Sequence, residues 1–124
     1  MNTGSASTVA RGRRFEEAAE RFLHRQGLKT ITKNFRCKIG EIDLVMNDRG
    51  TLAFVEVRYR ARGGLVAPLE TITHAKQRRI ALTAAAFLQA QPAFSARPCR
   101  FDAIAVDGDN DALRFDWIKD AFSA

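Results

Sequence analysis

One acid stands out in the segment FVEVRYR (54–60): Glu56, set between Val55 and Val57. A carboxylate inside an apolar strand needs a partner, a proton or a metal. Arg58 follows two positions later and shares its strand face. Upstream, EIDLVMN (41–47) carries Asp43, and the two segments flank Asp48-Arg49-Gly50, a hairpin-turn composition. If Arg49 and Gly50 are the loop residues, Asp48 faces Thr51 and Asp43 faces Glu56. Opposed residues project to one face with β-carbons about 5 Å apart. Two carboxylates so placed repel, unless a hard divalent cation such as Mg²⁺ or Mn²⁺ lies between them. Such a cation binds phosphate oxygens and acidifies a bound water, and the charge of Arg58 would steady a phosphate in attack. The same residues also permit a plainer arrangement, with Asp43 an exposed acid and Glu56 paired to Arg58 or Arg36.

The surrounding elements must hold this pair. Phe15, Ala18, Ala19, Phe22 and Leu23 recur at helical spacing over Arg13–Gln26, and Gly27 closes that helix. Its glutamates Glu16, Glu17 and Glu20 offer a further acidic ligand. Strands are expected at 30–38, 41–47 and 51–59, followed by a loop over 60–70 punctuated by Gly63-Gly64 and Pro68. Thr71 or Thr73 caps a second helix that runs to about Ala90 and stops before Pro92. Lys76, Gln77, Arg78 and Arg79 crowd its first half. Cations there oppose the helix dipole, which hints at a binding role. Strands at 99–106 and 112–118 complete the order α-β-β-β-α-β-β. A strand-helix-strand crossover after an antiparallel hairpin implies an α/β fold, a mixed sheet flanked by helices.

The chain has 124 residues, which suits one domain over 13–124 preceded by a flexible basic arm over 1–12. It shows no signal-peptide core and no span long enough for a bilayer, so no membrane is expected and the cytoplasm is the default. Cys37 and Cys99 lack metal-ligand spacing and read as reduced thiols. Lys and Arg number 20 against 14 acids, a net charge of +6. Residues 1–100 hold 18 of those bases and 8 of the acids, so the positive field lies there. It gathers at Arg11/Arg13/Arg14, Arg58/Arg60/Arg62 and Lys76/Arg78/Arg79, where a polyanion such as nucleic acid would bind.

In this order, GRRFEEAA (12–19), NFRCKIGEIDLV (34–45), FVEVRYR (54–60), PLETITHAKQRR (68–79) and CRFDAIAVD (99–107) resemble the YraN family of small bacterial proteins. That family resembles the PD-(D/E)XK nuclease superfamily, and most closely the archaeal Holliday-junction resolvases. The resemblance implies a restriction-endonuclease-like core and Mg²⁺- or Mn²⁺-dependent cleavage of DNA. It places Asp43 and Glu56 at the metal, Glu16 at the first-helix acid position and Arg58 where the motif lysine usually stands. Lys76 and Gln77 fall on the helix that often carries supporting polar residues. Two positions depart from the pattern. Phe15 replaces a glycine before the helix acid, and Arg58 keeps the lysine's charge but cannot act as a base. A resolvase-like enzyme would favour a homodimer, since two strands are cut symmetrically. The alternative is a binding module for nucleic acid or protein that keeps the nuclease scaffold without cutting.

Overall fold

A computed structural model describes residues 4–60, 72–109 and 112–123. Helix α1 (Gly4–Arg25) leads into β1 (Lys29–Arg36), β2 (Glu41–Asp48) and β3 (Thr51–Arg60). Helix α2 (His74–Ala90) and a 3₁₀ turn at Pro92–Phe94 precede β4 (Cys99–Asp109) and β5 (Ala112–Phe122). The expected order α-β-β-β-α-β-β holds. Helix α1 starts earlier than its apolar stripe, so residues 4–12, expected as an arm, continue the helix. A stretch such as SASTVAR contains no proline, and a helix already anchored by packing extends cheaply.

The five strands form one sheet in sequence order. All neighbours are antiparallel except β3 and β4, which run parallel because α2 crosses between them. The helices cover opposite faces. Phe15, Ala19 and Leu23 of α1 pack on Leu44, Met46, Val55, Val57, Ile104 and Val106. Ile80, Ala84 and Phe87 of α2 pack on Ile42, Val45, Leu52, Phe54 and Phe101. Alternation along β3 therefore sends Glu56 and Arg58 to the α2 face, together with Leu52 and Phe54.

The β2–β3 register is the expected one, with Asp48 opposite Thr51 and Leu44 opposite Val55. Arg49 and Gly50 both take positive φ, 52° and 99°, as a two-residue hairpin of the primed type requires. The ladder pairs end at Leu44, one step short of Asp43 and Glu56. There the alternation of β2 also breaks. Ile42 joins the α2-side core and Leu44 the α1-side core, although they are two residues apart.

A buried ionic chain fastens the other end of the sheet. Asp102 of β4 is fully buried, and its carboxylate accepts from Arg100 Nε (2.9 and 3.1 Å), Trp117 Nε1 (3.1 Å) and the Asp120 backbone N–H (2.9 Å). Asp120 has φ 54°, and the β4–β5 register shifts between Phe101 and Ala103, so the carboxylate sits inside an irregular stretch of ladder and satisfies it. Arg100 Nη2 lies 2.8 Å from buried Asp48 of β2. Replacing Asp102 by Ala would leave Arg100 short of a counter-charge in the interior. The expected loss is about 3–5 kcal/mol in urea unfolding. It can be followed by Trp117 fluorescence, since that residue is the single tryptophan. An unchanged midpoint would show that the chain contributes nothing to stability.

Candidate functional site

Glu56 is the buried acid of the sheet centre, only 8% exposed. Two cations reach it. Lys76 Nζ of α2 lies 2.7 Å from Oε2, and Arg58 Nε lies 3.5 Å from the same oxygen. Lys76 is delivered by the helix start: Thr73 caps α2, its side-chain oxygen accepting from Lys76 N at 3.1 Å. Gln77 secures the same turn by donating from Nε2 to Ile72 O at 3.0 Å.

Asp43 sits where β2 leaves β3. Its Oδ2 accepts the Val57 N–H at 2.8 Å, taking a strand donor at the point where the ladder stops. Burial first, and then the charge of Glu56, push its carboxyl up to about 8; Glu16 and Glu41 add to this and the Val57 N–H opposes it. Glu16 of α1 is itself raised, first by burial and then by Glu41, against the pull of Asn34, Lys33 and Arg13. Asp43 therefore feels acids from both layers, Glu16 from the α1 side and Glu56 from the α2 side. The reversal of β2 between Ile42 and Leu44 makes this position available to both.

These groups open onto a cleft of about 290 Å³. Glu41, Asp43 and Glu56 supply its acids, Lys76 and Arg79 its cations, and Gly40 part of its wall. Gly40 lies against α2, where a β-carbon would come within 3.1 Å of Thr83 Oγ1. Among the described residues, no three His, Cys, Asp or Glu side chains converge as a ready-made metal cluster. The donors present are carboxylate oxygens, which suit a hard cation that completes its shell with water and phosphate.

A family model described as "Uncharacterised protein family UPF0102" matches residues 15–106. The chain belongs to the UPF0102 (YraN) family. A UPF0102 protein of Pseudomonas putida (strain GB-1) is 44% identical over 119 residues, covering 95% of this chain and 97% of the relative. One from Pseudomonas syringae pv. syringae (strain B728a) is 46% identical over 114 residues, covering 91% and 93%. One from Pseudomonas aeruginosa (strain UCBPP-PA14) is 44% identical over 124 residues, covering 98% and 99%.

Within this UPF0102 fold, the residues singled out by sequence divide into four groups. Asp43, Glu56, Lys76 and Arg79 line one cleft, and Glu16 acts electrostatically on Asp43 from α1. Arg58 stands beside Glu56 but outside the cleft lining. Arg13 and Arg14 are exposed on α1, across the sheet from α2. Arg62, and the side chains of Arg11 and Arg60, lie outside the described residues.

Phe15 takes no part in the cleft lining. It is buried against Tyr59, with ring centroids 4.9 Å apart and planes 15° from parallel. Glu41 does not reach Arg58, which a continued ladder would have placed opposite it; its carboxylate takes Arg36 Nε at 3.2 Å. The Lys76–Glu56 contact was not predicted from sequence, though the unusual cations at the start of α2 were its visible trace. Cys37 and Cys99 are free thiols, as expected.

The raised carboxyl of Asp43 has a stability consequence in protein stripped of divalent ions with EDTA. The folded state holds a proton that the unfolded chain releases near pH 4, so stability falls as pH rises from there through about 8. Asp43→Asn keeps an acceptor for Val57 N–H and removes this decline. Urea unfolding should find the variant nearly equal to the parent at pH 4 and more stable by about 1–3 kcal/mol at pH 9. Glu16 leaves a smaller slope of the same sign in both proteins. An equal difference at both pH values would contradict the assignment.

Proposed function

We propose that this protein is a divalent-metal-dependent nuclease that hydrolyses DNA phosphodiester bonds, with branched or otherwise structured DNA the first substrates to try. The observation that carries the reading is the meeting of half-buried Asp43 and buried Glu56, acids on adjacent strands, in a cleft that also holds Lys76 and Arg79. Burial, and then the charge of Glu56, raise the Asp43 carboxyl to about 8, and such a pair favours the arrival of a cation that lets both ionise. Mg²⁺ or Mn²⁺ bound there would supply Lewis acidity toward a phosphate oxygen and a water.

The chain's own residues do the rest. Asp43 and Glu56 hold the cation, and the Val57 N–H fixes the orientation of the Asp43 carboxylate. Glu16 sits close enough to add negative potential from the α1 side. Arg58 keeps Glu56 in place from within the sheet. Arg13, Arg14 and Arg79, with Arg11, Arg60 and Arg62, would follow the phosphate backbone. A homodimer in the cytoplasm would offer two clefts to two strands. No helix among the described residues is long and apolar enough to cross a membrane.

A second reading is a binding module that holds nucleic acid without cutting. The 2.7 Å contact of Lys76 favours it, because Glu56 already has a counter-ion. The two readings separate on a panel of junction, flap, nicked and linear DNA with Mg²⁺ or Mn²⁺. The nuclease reading expects metal-dependent cleavage that Asp43→Ala and Glu56→Ala each reduce by about 100-fold or more, beyond the cost of losing a supporting residue. Cleavage unchanged in these variants would rule it out. Salt-sensitive binding with no turnover would support the module.

A further inference from the structure

The geometry points to Lys76, and not Arg58, as the cation that meets the scissile phosphate: Lys76 occupies Glu56 while the site lacks a divalent ion and is released to phosphate when one arrives. This rests on the nuclease-like reading of the cleft, and it assigns to α2 a role that the sequence pattern gives to β3. Three observations support it.

The first is access. Lys76 and Arg79 line the cleft with Asp43 and Glu56, whereas Arg58 does not. The Arg58 Nε is buried, and although it lies 3.5 Å from Glu56 Oε2, it makes no hydrogen bond. With its Nε buried beside Glu56 and its side chain outside the cleft lining, the Arg58 guanidinium is placed to hold that carboxylate rather than to meet a phosphate in the cleft.

The second is the form of the contact. The Lys76 ammonium takes Oε2 of Glu56 at 2.7 Å, a full charge-assisted hydrogen bond. That oxygen is one a divalent ion would need. An ammonium and a divalent ion so close together repel, so entry of one releases the other.

The third is mechanical. The backbone of Lys76 is fixed by the Thr73 cap, while its four-carbon stem is partly exposed at the cleft. A fixed root and a flexible tip let the ammonium move between Glu56 and a phosphate without moving the helix. The Arg58 side chain, rooted on the central strand β3, is less exposed than that of Lys76, 25% against 35%, and its Nε is buried.

The test reads DNA binding rather than cleavage. Fluorescence anisotropy of a labelled duplex would be compared in EDTA and in Ca²⁺, which takes the same oxygen ligands. The parent, Lys76→Met and Lys76→Arg are each titrated, with Trp117 emission confirming that every variant is folded. If Lys76→Met does not fold, Lys76→Gln serves the same comparison. The expected result is that Lys76→Met loses about tenfold in affinity with Ca²⁺ and almost nothing in EDTA, while Lys76→Arg keeps most of the parent's affinity in both. Equal losses in the two conditions, no loss in either, or a parent that binds no DNA would each overturn the inference. If the parent binds as expected but cuts no DNA with Mg²⁺ or Mn²⁺, hydrolysis fails as a function while Lys76 remains the cleft cation that meets a bound DNA phosphate.

Discussion

A carboxylate cannot remain charged inside a sheet unless a cation stands against it, and Glu56 is where this fold meets that demand. The strand that carries it is otherwise apolar, with Phe54, Val55 and Val57 all buried. Everything near the cleft follows from supplying that cation. Helix α2 begins where it does because Thr73 caps it, and that start brings Lys76 onto Glu56. Strand β2 gives up its ladder with β3 at Leu44, and Asp43 then takes the Val57 N–H itself. The outcome is a pair of neighbouring acids with Lys76 at the cleft and Arg58 beside Glu56 outside its lining.

The fold as a whole was legible from local pattern. Thr73 as a cap, the Arg49-Gly50 turn and the apolar faces of both helices are short-range features, and each was readable from residue spacing. The hairpin register then placed Asp43 against Glu56 with no tertiary information. The features that escaped are long-range or irregular. Lys76 meets Glu56 only because α2 docks on the β3 face, which spacing along the chain does not encode. The Asp48–Arg100–Asp102 chain depends on a register shift in β4–β5, and alternation rules assume regular ladders. The reversal between Ile42 and Leu44 is of the same kind. The extension of α1 through residues 4–12 lacks a continuous apolar stripe, the signal by which its later turns were found.

The two departures from the nuclease pattern take on different weights in the structure. Phe15 is a packing residue stacked on Tyr59, and its bulk is absorbed by the core. Gly12 helps, since a β-carbon there would come within 3.0 Å of the Tyr59 hydroxyl. Arg58 is the consequential change. Arginine is larger than lysine and is never neutral, and here it lies against Glu56 outside the cleft. A lysine is nevertheless present, reaching the same carboxylate from α2. The substitution on β3 therefore leaves the cleft with a flexible cation, supplied by a different element.

We propose that Asp43 and Glu56 together hold one divalent cation. Crystals grown without divalent ions and then soaked in Mn²⁺ test it most directly, through the anomalous signal of the metal. A peak is expected within about 2.6 Å of a carboxylate oxygen of each residue, with the Lys76 ammonium moved off Glu56. No peak between the two residues at saturating Mn²⁺, with Lys76 still bound to Glu56, would contradict it.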